Sequence, residues 1–226
     1  MTLRKRYEEK LRLLNDKIIE MGHIINRLIE QTIEAITLDD KDLAQKTILE
    51  DDIIDNLQLE IERECALLIA LQQPVASDLR FIISAIKIIT DIERIADQCS
   101  DICQYSLKMK DGSWKEEVNY QRHIEKMALS TKKMLEQTLT SYTLQDHELA
   151  REVLRSDDQI DASFLKIWEE IKGEMITRPE FIETGMQYLM VIKYLERIAD
   201  HITNIAEWML YSHTGEYLIH ATPEEK

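Results

Sequence analysis

Acidic side chains recur four residues apart at several places in this chain. Glu93, Asp97 and Asp101 follow one another at that spacing in "DIERIADQCSDICQY", and Glu196, Asp200 and Asn204 repeat it in "YLERIADHITNIAEW". Asp51 and Asp55, and later Asp157 and Asp161, keep the same interval. On an α-helix, residues i and i+4 share a face with Cβ atoms about 6 Å apart, and each like-charge pair costs a few tenths of a kcal/mol. Such acids call for positive charge. One supply is local: Arg94 stands three residues before Asp97, and Arg197 three before Asp200. The other is a hard divalent or trivalent cation, which takes oxygen ligands and which carboxylates can bridge to a second ion.

The connections between helices set the heights of these acids. Asp55 lies as many residues before Pro74 as Glu93 lies after it, and the same holds for Asp51 and Asp97. Around Pro179, Asp161 pairs with Glu196 and Asp157 with Asp200, to within a residue. Rise per residue is constant in a helix, so equal counts on the two arms of an antiparallel hairpin mean equal height. All four acids of each half can thus stand level; helix rotation decides whether they face one another.

The elements that must hold them are helical. Apolar residues recur at steps of three and four from Leu11 to Ile33, from Ile82 to Ile102 and from Tyr188 to Ile205. Only 5 Gly and 3 Pro interrupt the chain, which disfavours sheet-rich folds. Breaks fall at "TLDDKDLA", where Asp39 or Asp40 caps a new helix, at "QQPVAS" with Pro74 near a first turn, at "KDGSW", at "YTLQDHELA" and at "ITRPEF". The halves align: Thr37 sits over Thr143, Asp51 and Asp55 over Asp157 and Asp161, Pro74 over Pro179, and Glu93-Arg-Ile-Ala-Asp97 over Glu196-Arg-Ile-Ala-Asp200. This is a tandem duplication. The expected fold is all-α: six long helices as two tandem, pseudo-symmetric three-helix bundles, at residues 1–110 and 114–214, with a tail at 215–226. The bundles lie end to end or side by side.

Composition narrows the function classes. A formal net charge of -15 repels phosphate backbones and anionic lipid, which argues against nucleic-acid binding. No apolar run approaches the roughly 20 residues needed to span a bilayer, and the N-terminal residues lack a signal-peptide pattern, so a cytoplasmic place without membrane insertion is expected. The three cysteines, Cys65, Cys99 and Cys103, are too few and too odd for a disulfide framework and are expected as buried free thiols. Glycine-rich phosphate loops, nucleophile elbows and Cys-x-x-Cys pairs are missing from the sequence. A ferritin-like di-iron site needs two Glu-x-x-His motifs, and the chain has one candidate, at Glu20 and His23. His201 is expected as a packing or surface residue.

The segments "SDLRFIISAIKIITDIERIADQCSDI" and "YLERIADHITNIAEWMLYSHTGE" resemble the PhoU family, accessory regulators of bacterial phosphate-specific transport, and the resemblance covers nearly the whole chain. It implies six helices in two similar bundles whose acidic motifs hold multinuclear clusters of iron, zinc or similar ions, with Mg or Mn as further candidates. Carried over, the ligands are Asp51, Asp55, Glu93, Asp97 and Asp101 in one half, and Asp157, Asp161, Glu196, Asp200 and Asn204 in the other. Asn204 is a weaker ligand than Asp101. Ala96 and Ala199 stand where the family often has Gly. The implied role is non-enzymatic, negative regulation of phosphate uptake and phosphate-responsive signalling. The implied partners are the ATPase of a phosphate ABC transporter, a sensor histidine kinase and a second copy of the chain. Two readings compete with it: a metal-dependent enzyme or metal store using the same carboxylates, and a helical adaptor whose acids pair with Arg94 and Arg197.

Overall fold

Asp40 and Asp146 show how local chemistry cuts this chain into helices. Each sits in extended backbone after a left-handed residue, Asp39 (φ 56) or Gln145 (φ 55). The Asp40 carboxylate accepts the Leu43 amide at 2.9 Å, and that of Asp146 accepts the amides of Glu148 and Leu149, both at 3.1 Å. Amide groups that a helix start leaves without partners are thereby satisfied. The amides of Asp40 and Asp146 in turn close the preceding helices, on the carbonyls of Ala35 and Ser141. The two halves make the same turn from the same residue types.

The computed structural model describes residues 3–109 and 118–216. Six helices fill them: α1 (Leu3–Leu38), α2 (Lys41–Gln72), α3 (Ala76–Lys108), α4 (Val118–Leu144), α5 (His147–Thr177) and α6 (Ile182–Thr214). The helices run from 27 to 36 residues. The "KDGSW" linker, the expected boundary at 110–114 and most of the tail lie outside the described residues. The second pair of turns differs from expectation. Pro74 does not open a helix: Gln73 is left-handed (φ 47), and α3 begins only at Ala76 after the extended Val75. Pro179 does start a helical turn, the 3₁₀ segment Pro179–Phe181 that leads into α6, because its fixed φ suits a first position.

Helices α1, α2 and α3 pack on one another, as do α4, α5 and α6. The two bundles lie side by side. Their most extensive contact is α3 on α6, with α1 on α4 beside it. One apolar cluster runs through both, from Leu14, Ile54 and Ile89 to Ile160, Ile192 and Ala206. Helices α3 and α6 are antiparallel: Lys87 lies over the ring of Trp208, Asp91 meets His201 and Asn204, and Tyr105 meets Tyr194 at 5.7 Å. Ala96 and Ala199, both buried, fall level with each other at the centre of this register. The cysteines are free and buried, and burial pushes their thiols up, to about 12 for Cys65 and about 11 for Cys103.

Candidate metal centres

Each bundle presents one acidic cluster where its second helix faces its third. In the first, α2 supplies Asp51 and Asp55, and α3 supplies Glu93 and Asp97. Burial raises the Asp51 carboxyl to about 6, and the charges of Asp97, Asp55 and Glu93 push the same way, against the Ser100 hydroxyl. Glu93 is raised by burial and then by Asp97 and Asp55. Mutual repulsion of this kind requires the four carboxylates to be neighbours. Asp51, Asp97 and Asp101 line an open cleft of about 600 Å³.

The second cluster is tighter. One carboxylate oxygen from each of Asp157, Asp161 and Asp200 lies within 4.8 Å of the others. Burial, then Glu196, raises Asp161; Asp200 is raised by burial, then Glu196 and Asp161. All four acids of this half therefore converge, on α5 and α6.

The donor sets consist of carboxylate oxygens, the chemistry that holds hard cations. One buried oxygen, Oδ1 of Asp51, receives no hydrogen bond among the described residues, and Oε2 of Glu93 meets only the Arg94 guanidinium, at 3.4 Å. A buried carboxylate oxygen without a donor is costly, and a cation relieves that cost. The residues present thus fit a metal.

The local cations divide differently from the sequence expectation. Arg94 does reach Asp97, at 3.0 Å, and stands 3.4 Å from Glu93. Arg197 makes no ion pair with Asp200 among the described residues; it lines the cleft of the first half. The second cluster is served by Lys193, which bonds Glu196 at 2.6 Å and whose charge partly offsets the rise of Asp161 and Asp200. Thr90 stands at the matching place in the first half.

Asn204 does not join the second cluster. Its amide donates to Asp91 Oδ1 at 3.2 Å, and His201 Nδ1 meets the same oxygen at 2.9 Å. Asp101, its counterpart, both lines the first cleft and faces Tyr194, whose phenol is raised to about 12 by burial first and then by the Asp101 charge. Each step of four residues turns a helix a further 40°, so the third member of each series rotates from its own cluster toward the α3–α6 contact. Asp91 and Tyr194 occupy matching positions, so one pseudo-twofold polar contact is built twice with different groups. His201, expected as a packing or surface residue, is one of these groups. Sequence reasoning passed over Asp91, Lys193, Tyr194 and Asp52, the last lining the first cleft; only Asp52 carried a signal, through its alignment with Asp158.

A duplicated three-helix unit, carrying one interhelical carboxylate cluster per copy, defines a class of all-helical proteins. The chain belongs to the PhoU family: the PhoU domain matches residues 18–106 and again residues 124–209, once per bundle. It is 36% identical over 214 residues to the "phosphate-specific transport system accessory protein PhoU homolog" of Clostridium acetobutylicum, covering 94% of this chain and 96% of that one. The namesake of Caulobacter vibrioides is 36% identical over 220 residues, 97% of this chain and 95% of the relative. The crystal structure of the phosphate transport system regulatory protein PhoU from Streptococcus pneumoniae superposes with a TM-score of 0.86 at 32% identity, over 94% of this chain and 99% of that chain.

Proposed function

We propose that this chain is a non-catalytic negative regulator of phosphate uptake and phosphate-responsive signalling. It acts in the cytoplasm, as a homodimer, by contacts with the ATPase of a phosphate ABC transporter and with a sensor histidine kinase. The observation that carries the reading is the family match in both bundles, with relatives named as transport accessory proteins along nearly their whole length. No helix among the described residues is long and apolar enough to cross a membrane, which suits a protein that docks on a membrane assembly. Asp51, Asp55, Glu93 and Asp97, with Asp101 at the cleft wall, hold hard cations in one half; Asp157, Asp161, Glu196 and Asp200 do so in the other. A cation there supplies positive charge to the clustered carboxylates. The carboxylates themselves tie α2 to α3 and α5 to α6 when that charge is present.

The test is a deletion strain carrying a phosphate-responsive reporter. Loss of the gene should leave the reporter active at high phosphate, and the wild-type copy should restore repression. Normal repression in the deletion strain would remove the regulatory reading. Elemental analysis of chain purified without chelator or affinity metal tests the cations, and turnover of a phosphoester by metal-loaded protein would favour the enzyme reading instead.

A further inference from the structure

The seam between α4 and α5, away from both acidic clusters, opens into a groove of about 420 Å³. Lys126 and Lys133 of α4 and Lys166 of α5 line it, with Ser130, Ser156 and Ser163 between them. Its floor is apolar, with buried Met134 and Ile160. No carboxylate lines it, although the chain carries 43 Asp and Glu against 28 Lys and Arg. Nearby lysines have acidic partners: Lys132 bonds Glu30, Lys172 bonds Glu169 and Lys193 bonds Glu196. The three groove lysines make no ion pair among the described residues.

The duplication provides an internal comparison. Buried positions hold the two halves in register: Met21 matches Met127, Thr32 matches Thr138, Ile54 matches Ile160 and Ile61 matches Ile167, all buried. In that register Glu20 and Glu60 stand where the second half has Lys126 and Lys166. Ile24 and Leu57, both half-buried, stand where it has Ser130 and Ser163. The first seam is therefore filled and carries acids of its own, with Glu60 bonded to Lys17 at 2.6 Å. The second is emptied by small hydroxyl residues and reversed in charge at Lys126 and Lys166, while Lys133 matches Arg27 and is basic in both halves. Packing does not require either change, since the buried layer beneath is conserved between the halves.

We propose that the α4–α5 groove binds a linear phosphoanhydride chain, free or carried by a nucleoside. Lysine ammonium groups serve phosphoryl oxygens as point charges, while the hydroxyls of Ser130, Ser156 and Ser163 donate to backbone carbonyls of their own helices, so these serines contribute room rather than donors. Lys126 and Lys133 are two turns apart, about 10 Å along the helix at 1.5 Å per residue, which suits charges repeated along a chain rather than one compact anion. The apolar floor beneath removes competing acceptors.

Calorimetric titration of the full-length, metal-stripped chain with inorganic tripolyphosphate tests this, with ATP as a second arm and sulfate as the control. Stripping the protein first keeps chelation at the acidic clusters out of the signal, so failure here leaves the regulatory reading intact. Saturable one-to-one binding of tripolyphosphate, ATP or both, stronger than of sulfate, is expected; the stronger arm names the source. The Lys126→Ser/Lys133→Ser/Lys166→Ser variant should weaken it by about tenfold or more, the scale of lost charge-assisted contacts. Ser130→Ile/Ser163→Leu restores the first half's filling, keeps the lysines and should lose binding as well, so the question stays decidable if the triple variant fails to fold. Absence of binding, equal affinity for sulfate, or binding that survives in a folded variant would overturn the proposal.

Discussion

Asp51 carries a clear linkage between protons, stability and metal. Its folded-state carboxyl is raised to about 6 from 3.8, by burial first and then by Asp97, Asp55 and Glu93. The folded chain therefore holds this proton more tightly than the unfolded chain does. The stability it contributes is fully present below the unfolded value and is lost as pH rises through about 6. Glu93, Asp161 and Asp200 shift in the same direction. Metal-stripped protein should show a falling Tm between about pH 4 and pH 7, and a hard cation such as Mn²⁺ should reverse the trend at neutral pH by RT ln(1 + [L]/Kd). Asp51→Asn should raise the neutral-pH Tm of the stripped protein while weakening the gain from Mn²⁺. Thermal melts across pH, with and without the ion, check both; a stripped protein whose Tm rises through this range contradicts the assignment. Much of this site was legible beforehand, because i,i+4 spacing and counts from a turn are local arithmetic. Which cation serves each cluster was not: Lys193 and Arg197 each stand three residues before an acid, and the spacing does not choose between them.

At the scale of elements, the same distinction separates what local sequence dictates from what packing adds. Asp40 and Asp146 end one helix and begin the next through their own side chains, so those boundaries were readable. The start of α3 was not, since Pro74 permits a first turn without requiring one. The α1–α4 contact was equally unreadable, because no turn joins these helices. It depends on Gly22, where an added Cβ would come 2.5 Å from Leu139 Cδ2. The matching position in α4 is Ala128, also buried and small. Two effects oppose each other at Gly22. Alanine gains roughly 0.5–1 kcal/mol of helix stability over glycine, and the tip of Leu139 is a flexible group able to move aside. Gly22→Ala is therefore expected to be near neutral. Gly22→Leu brings a full side chain into the contact and should cost about 1–3 kcal/mol. Chemical denaturation of the two variants measures the difference, and equal stability of both would show that α1 and α4 do not approach closely in solution.

For the whole molecule, the antiparallel α3–α6 contact makes two bundles into one body. The duplication was visible in the sequence, but the arrangement of the copies was left open between end to end and side by side. What decides it is a surface spread over α3 and α6: Asp91 with His201 and Asn204, Tyr194 with Asp101, and the small pair Ala96 and Ala199 between them. No local pattern marks these residues as partners, since each also fits an ordinary helix face. A core continuous through both repeats should unfold as one cooperative unit. The chain supplies a probe, because its three tryptophans, Trp114, Trp168 and Trp208, all fall in the second half of the sequence. Tryptophan fluorescence thus reports on that half, while far-UV circular dichroism reports on both. Their denaturation midpoints should coincide. Ala199→Leu overpacks the centre of the contact, costs about 1–3 kcal/mol, and lowers Tm by about 2–4 °C for each kcal/mol in a chain of this size. Because Ala199 touches the shared core, both signals should move together. A fluorescence transition that shifts while a dichroism component stays in place would mean that the bundles are independent bodies joined only by their linker.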